Sequence, residues 1–289
     1  GLSYSRLLGF FMTAAPLPAL TPITFIGGGN MAQALIAGLL KQGTPAQHMR
    51  VVEPLASTRQ LLIDQHGVQA LPQANDSLSD TQLVVWAVKP QLFQAVAQPL
   101  KDLFPQALHL SVAAGIRSDS IAQWLGSEHV VRAMPNTPAL VGLGQTGLYA
   151  RGAVSVEQRQ QVEALLKAVG QSIWVASEDL LDAVTAVSGS GPAYVFYVLE
   201  AMVAAGERMG LSSAQAHQLA VGTMVGAAEL ARASSESPAV LRERVTSKGG
   251  TTHAAISSMQ ADGLPALFEK AMLAARDRAI SLGDELGGS

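Results

Sequence analysis

The residues of this chain best suited to chemistry are glycines, hydroxyls and helix-start amides rather than clustered acids, histidines or thiols. Gly27-Gly28-Gly29-Asn30-Met31-Ala32 follows the strand-like run Ile23-Thr24-Phe25-Ile26 and opens directly into a helical pattern. In that strand–turn–helix setting G-x-G-x-x-[GA] is the pattern that receives a dinucleotide pyrophosphate. Gly27 permits the tight turn, Gly29 lets the phosphates approach the backbone, and small Ala32 lets the helix pack close to its strand. Free amides at the helix start then meet the anion at the favourable end of the helix dipole. A glycine-rich turn with no ligand is the plain alternative. About twenty residues further on, Glu53-Pro54 ends the next strand, where an acid holds the adenosine ribose hydroxyls of NAD. Arg50 or Arg59 could instead pair with the extra phosphate of NADP, and a solvated glutamate needs no ligand at all.

Other strand ends carry unusual sequence. In Ala87-Val88-Lys89-Pro90 the proline stops the strand and fixes the chain's exit, placing Lys89 at the ligand edge of a sheet; the bland alternative is a surface lysine. Ser111-Val112-Ala113-Ala114-Gly115 leaves room for a flat ring against the backbone. Met134-Pro135-Asn136-Thr137-Pro138 stiffens a loop around an amide and a hydroxyl, as an ordinary turn also would. Ser188-Gly189-Ser190-Gly191-Pro192-Ala193-Tyr194 reads as a rigid corner between helices, and close helix packing explains it equally well. Most informative is Val245-Thr246-Ser247-Lys248-Gly249-Gly250-Thr251-Thr252-His253. Its glycines, hydroxyls and helix-start amides make a receptor for a small carboxylate. His253 falls in the first turn of that helix, where the dipole disfavours imidazolium, so it suits a neutral donor or a structural role.

The elements that must position these residues alternate through the first part of the chain. Strands are expected over 23–26, 48–54, 83–88, 107–112, 129–134, 141–149 and 172–175. Helices are expected from the glycine cluster through Leu39 and over 58–66, 92–103, 118–126 and 156–169. Continuous apolar runs such as Leu83-Val84-Val85-Trp86-Ala87-Val88 mark strands buried on both faces of a parallel sheet. The expectation is an α/β, doubly wound domain over 21–177. From 178 the β-rich runs stop, and helices are expected over 179–187, 192–209, 213–233, 238–245, 252–261 and 265–286, an all-helical domain over 178–289. Its faces carry alanine, glycine and leucine on more than one side, which predicts a face buried in a homodimer. Residues 1–20 read as a variable or disordered tail, with Met12 a candidate natural start.

Bulk properties narrow the function classes. The 289 residues carry a formal net charge of −3, which leaves no electrostatic footprint for nucleic acid or an acidic membrane surface. No stretch reaches the length of a membrane span. The absence of cysteine excludes disulfides, thiolate catalysis and cysteine metal sites, and a reducing, cytoplasmic compartment is expected. No spacing of histidines suggests a metal.

Taken together, G-G-G-N-M-A at 27–32, A-V-K-P at 87–90, S-V-A-A-G at 111–115, M-P-N-T-P at 134–138, V-S-G-S-G-P-A-Y at 187–194 and T-S-K-G-G-T-T at 246–252 resemble pyrroline-5-carboxylate reductase. The likeness runs from about residue 22 to the end. It implies reduction of 1-pyrroline-5-carboxylate to L-proline by NADPH, with NADH possible. It also implies a helical C-terminal domain that interlocks into a homodimer, often stacked into larger rings.

Carried over by position, the resemblance assigns cofactor binding to Gly27, Gly28, Gly29, Asn30, Met31 and Ala32, to Asn75 on the adenosine side, and to Ala87, Val88, Lys89, Pro90, Val112, Ala113 and Ala114 on the nicotinamide side. It places the substrate carboxylate at Ser247, Gly249, Gly250, Thr251 and Thr252, with Glu178 near the proline pocket. Thr252 is the candidate catalytic partner of the ring nitrogen. Glu53 departs from the polar turn in which the family receives an adenosine phosphate, which weakens the expected preference for NADPH. Two rival readings remain at this level: a hydroxyacid dehydrogenase using Lys248 or Lys270, and a non-catalytic nucleotide sensor on the same fold.

Overall fold

A computed structural model describes residues 19–287, so most of the tail expected over 1–20 lies outside the described residues. The first part interleaves β1 (Ile23–Ile26), α1 (Asn30–Lys41), β2 (Met49–Val52), α2 (Ala56–His66), β3 (Gln69–Leu71), β4 (Leu83–Trp86) and α3 (Pro90–Ala97). It continues through β5 (Leu108–Ser111), α4 (Ser118–Leu125), β6 (Val130–Met134), β7 (Gly144–Ala150), α5 (Val156–Leu166) and β8 (Gly170–Trp174). The strands form one sheet in the order β3-β2-β1-β4-β5-β6-β7-β8. This is a doubly wound, Rossmann-type sheet.

Every neighbouring pair is parallel except β6 and β7. The link between those two holds only a short 3-10 turn, Thr137–Val141. That is too little chain for a helical crossover, so the strand returns antiparallel. β1, β2, β4 and β5 are buried along their whole length. Their alternate side chains feed opposite faces: Phe25, Val51 and Val85 pack with Leu35, Ile36 and Leu62. Ile26, Val84 and Trp86 pack with Phe93 and Trp124 on the other side. Helices cover both faces, so the sequence shows these strands as continuous apolar runs.

Among the differences from the expected elements, one helix ends early and one strand, β3, is additional. The helix expected over 92–103 ends at Ala97 and gives way to a 3-10 turn at Gln98–Leu100, because Pro99 has no amide to donate. β3 has three residues and no fully buried position, too short for any periodic signal. One histidine is absorbed by the core: His109 accepts from Trp86 Nε1 at 3.0 Å, and burial, with His129 nearby, drops its pKa to about 4. It stays neutral at ordinary pH.

The second part is helical: α6 (Leu180–Val184), a π-helical turn at Thr185–Gly189, α7 (Gly191–Arg208), α8 (Ser213–Ala233), α9 (Pro238–Arg244), α10 (Thr251–Ala261) and α11 (Leu264–Gly287). Ser212 and Ser237 cap α8 and α9 through their hydroxyls, and Gly210 and Gly263 adopt positive φ between helices. α7 packs on α8, and α11 packs on α6, the π turn and α10. These contacts bury little. α9 and α10 have no buried residue, and Phe196, Tyr197 and Leu230 remain 64%, 74% and 69% exposed.

Apolar helices in that state need a partner surface, since fully burying one such side chain is worth roughly 1.5–3 kcal/mol. The expected result in sedimentation is a dimer or larger assembly at micromolar concentration; a compact monomer would contradict it. Among the described residues no helix is long and apolar enough to cross a membrane.

Candidate active site

The carboxyl ends of β1, β2, β4 and β5 lie side by side and are stitched together by the backbone just beyond them. Gly27 N donates to Val52 O (2.9 Å), Ala87 N to Ile26 O (2.8 Å), Val112 N to Trp86 O (3.1 Å) and Glu53 N to Leu71 O (2.8 Å). Gly27–Ala32, Glu53, Ala87–Pro90 and Val112–Ala114 therefore share one edge of the sheet. Asn75 sits outside this cluster of bonds. It caps the 3-10 turn Asp76–Leu78, its Oδ1 accepting from the amide and hydroxyl of Ser77.

The glycines divide the labour. Gly27 has φ +97°, and a Cβ there would stand 2.3 Å from the Ala87 carbonyl oxygen. Gly28 donates its amide to Glu53 Oε1 at 3.2 Å. Gly29 is the N-cap of α1 in an ordinary extended conformation; a Cβ there would meet nothing within 4 Å, and no side chain caps the helix. By contrast, Ser155 and Ser212 close the starts of α5 and α8 with capping boxes. The amides of Asn30, Met31 and Ala32 have no partner inside the helix by geometry. An open cradle that a Cβ would fill, at an uncapped helix start, fits a pyrophosphate.

A second helix start with a glycine N-cap and no side-chain cap lies at the far end of the chain. In the turn before α10, Gly249 has φ +76° and Gly250 N donates to Ser247 O at 3.0 Å. A Cβ on Gly250 would meet Ser247 Oγ at 2.6 Å, so glycine is needed to keep the hydroxyl over the turn. Gly250 is the N-cap of α10 and no side chain caps it. Ser247, Gly249 and Thr251 are exposed and Thr252 is half-buried. α10 finds its main packing partner in α11, so one chain by itself presents this loop to solvent. His253 is exposed beside it.

Glu178, which the resemblance implied near the proline pocket, is buried where the helical half meets the sheet. It is 9% exposed and already occupied: Ser118 Oγ donates to Oε1 (2.6 Å), while Ser118 N (2.6 Å) and Arg132 Nη1 (2.9 Å) donate to Oε2. Burial pushes this carboxyl up, but the bonds from Ser118 and the charge of Arg132 outweigh it and hold the group below its usual range. Arg151 adds a bond to Ser118 Oγ at 3.1 Å. The cluster joins the start of α4, strand β6 and the link from β8 into α6, and so clamps the helical half to the sheet. Asp182 lies close by, its carboxyl raised by burial against the pull of Arg132 and Arg117.

Asn136, the amide in the stiff loop after β6, has a structural task that its sequence neighbours do not reveal. Its Nδ2 donates to Ser188 O (3.0 Å) and its Oδ1 accepts from Gln145 N (2.9 Å). Tyr194 Oη donates to Ala186 O at 2.9 Å. These side chains satisfy carbonyls in the π turn, where the regular i→i−4 ladder is interrupted. The signal was present in the proline-flanked asparagine and in the small-residue corner, but only their pairing explains either. Close contact also fixes α11, since a Cβ on Gly283 would stand 2.5 Å from Gly115 O, beyond β5.

Matches to known proteins fall on both parts of the chain. A family model described as pyrroline-5-carboxylate reductase dimerisation matches residues 178–282, and one described as NADP oxidoreductase, coenzyme F420-dependent, matches 22–115. A pyrroline-5-carboxylate reductase of Pseudomonas aeruginosa is 48% identical over 267 residues, covering 92% of this chain and 98% of that protein. Among solved structures, a pyrroline-5-carboxylate reductase from Coxiella burnetii matches at 39% identity with a TM-score of 0.85, over 91% of this chain and 98% of that one. A pyrroline carboxylate reductase from Plasmodium falciparum, with NADP bound, matches at 26% identity and TM-score 0.80, over 90% and 97%.

Proposed function

This chain belongs to the pyrroline-5-carboxylate reductase family, and we propose from that premise that it reduces 1-pyrroline-5-carboxylate to L-proline with NAD(P)H in the cytoplasm, as the last step of proline biosynthesis. The observation that carries the reading is the pair of uncapped, glycine-headed helix starts, one at α1 and one at α10. The first suits a pyrophosphate and the second a small carboxylate. The α10 loop is exposed on its own chain and the helical half shows an unpartnered apolar face. The site is therefore assembled between two copies, the sheet edge of one facing the threonine-rich turn of the other.

Little side-chain chemistry is required. The nicotinamide supplies the hydride when bound. Asn30, Met31 and Ala32 hold the pyrophosphate through their amides; Asn75 serves the adenosine side; Ala87–Pro90 and Val112–Ala114 form the wall on the nicotinamide side. Ser247, Gly249, Gly250 and Thr251 hold the substrate carboxylate, which fixes the imine carbon in reach and keeps the reaction largely a matter of orientation. The imine nitrogen takes a proton from solvent before the hydride arrives, so hydride plus proton make the amine. Thr252 keeps its hydrogen and donates a hydrogen bond to the lone pair that develops on the nitrogen, an interaction stronger in the transition state than before it.

Consumption of NADH and NADPH, with and without 1-pyrroline-5-carboxylate, tests the activity; no substrate-dependent consumption of either would refute it. Thr252→Ala should lower turnover about 10–100-fold with dinucleotide affinity unchanged, as expected for one hydrogen bond made in the transition state. Unaltered turnover would remove Thr252 from the mechanism. Mixing the Thr252→Ala protein with a Gly29→Val protein, then re-pairing the subunits, tests the two-copy site. Random pairing makes half the dimers hybrid, each with one intact site, so about a quarter of the activity should return. A site contained within one chain returns none.

A further inference from the structure

The end of β2 holds a carboxylate in a defined position. Glu53 Oε1 accepts from Gly28 N at 3.2 Å, inside the turn that heads α1, and Oε2 accepts from Leu55 N at 2.9 Å. Two backbone amides on opposite oxygens pin the group, so it cannot swing away from an incoming ligand. An ionised carboxylate offers about four lone-pair sites, and these amides take one on each oxygen. One acceptor site per oxygen remains, the number that a vicinal diol with two hydroxyl donors satisfies.

We infer that Glu53 makes this enzyme select NADH over NADPH, by accepting both hydroxyls of the adenosine ribose and repelling a 2′-phosphate. The inference rests on the reading of the α1 start as the pyrophosphate site, which places the adjoining ribose over the end of β2. A 2′-phosphate removes one of the two donors and brings a dianion against a fixed negative charge.

The basic residues near this strand do not reverse the balance. Arg50 is buried, pairs with Asp80 at 2.8 Å and donates to Thr81 Oγ1 at 2.7 Å. Arg59 folds back on the chain, its Nη1 donating to the carbonyls of Glu53 (2.9 Å) and Pro54 (2.7 Å). That guanidinium offsets the carboxylate in part without displacing it from the diol position.

The test is a fluorescence titration of the assembled enzyme with NADH and with NADPH, in the absence of substrate. NADH should bind at least about tenfold more tightly, the scale of one misplaced charge pair near a protein surface. Glu53→Ser, which keeps a short donor–acceptor and removes the charge, should bring NADPH to equal or tighter binding. Glu53→Gln keeps the shape and an acceptor for Gly28 N, and should shift the ratio the same way by a smaller factor; thermal melts of both variants check the fold. Equal or tighter binding of NADPH by the unaltered protein overturns the inference, as does an unchanged ratio in both variants. Either result leaves the reductase reading standing, because that reading needs only that a reduced dinucleotide binds. Failure of both dinucleotides to bind would overturn the nucleotide site itself, and this inference with it.

Discussion

Gly29→Val will leave the fold intact and weaken dinucleotide binding by at least about 100-fold, the cost of displacing a phosphate by a side chain's width at a site that works by position. Gly27→Ala will do the opposite first and melt the protein early. The two glycines are neighbours but one, in the same motif, and their tasks differ. Gly29 has an extended backbone any residue adopts and open space where a side chain would grow, so only a ligand would feel the change. Gly27 has φ +97° and its Cβ would stand 2.3 Å from a backbone oxygen that cannot turn aside. The left-handed conformation costs an alanine about 1–2 kcal/mol and the overpacking about 1–3 kcal/mol more. In a chain of this size that sum lowers the melting temperature by roughly 3–8 °C. Calorimetry on both variants, together with nucleotide titration, separates the roles. Early melting of Gly29→Val, or a normal melt for Gly27→Ala, would show that the division is wrong.

Glu178→Ala will destabilise the protein by about 3–5 kcal/mol, the usual cost of leaving one member of a buried ion pair uncompensated. Its partner Arg132 has a side chain only 5% exposed, and Ser118 would lose the acceptor for both its amide and its hydroxyl. Arg132 Nε is already buried without a hydrogen-bond partner, so the pair is an imperfect one. Replacing both residues by apolar ones, Glu178→Leu with Arg132→Met, should therefore recover much of the loss. A double variant no more stable than Glu178→Ala would contradict this account.

The pH dependence has a definite sign. The folded carboxyl lies below its ordinary value of 4.5, so its contribution is complete above that value and is lost as pH falls through the depressed one. The difference in melting temperature between the unaltered protein and Glu178→Gln should be widest above pH 5 and shrink on acidification. A gap that widens on acidification would mean that the Glu178 carboxyl is raised, not lowered, in the folded state.

What this sequence determined by itself is whatever depends on neighbours along the chain. A glycine spacing, a strand before it and a helix after it specify a turn whose amides face outward. Ser212, Ser237, Gly210 and Gly263 mark helix ends because caps and left-handed turns are local geometry. The buried strands showed as apolar runs because helices cover both faces of the sheet. The antiparallel return of β7, the π turn braced by Asn136 and Tyr194, and the partners of Glu178 were decided only in three dimensions. Glu178 meets Ser118 and Arg132 across 60 and 46 residues of chain, and Asn136 meets Ser188 across 52. No periodicity reports such a meeting, because burial and packing, not spacing, select which distant polar groups must satisfy one another.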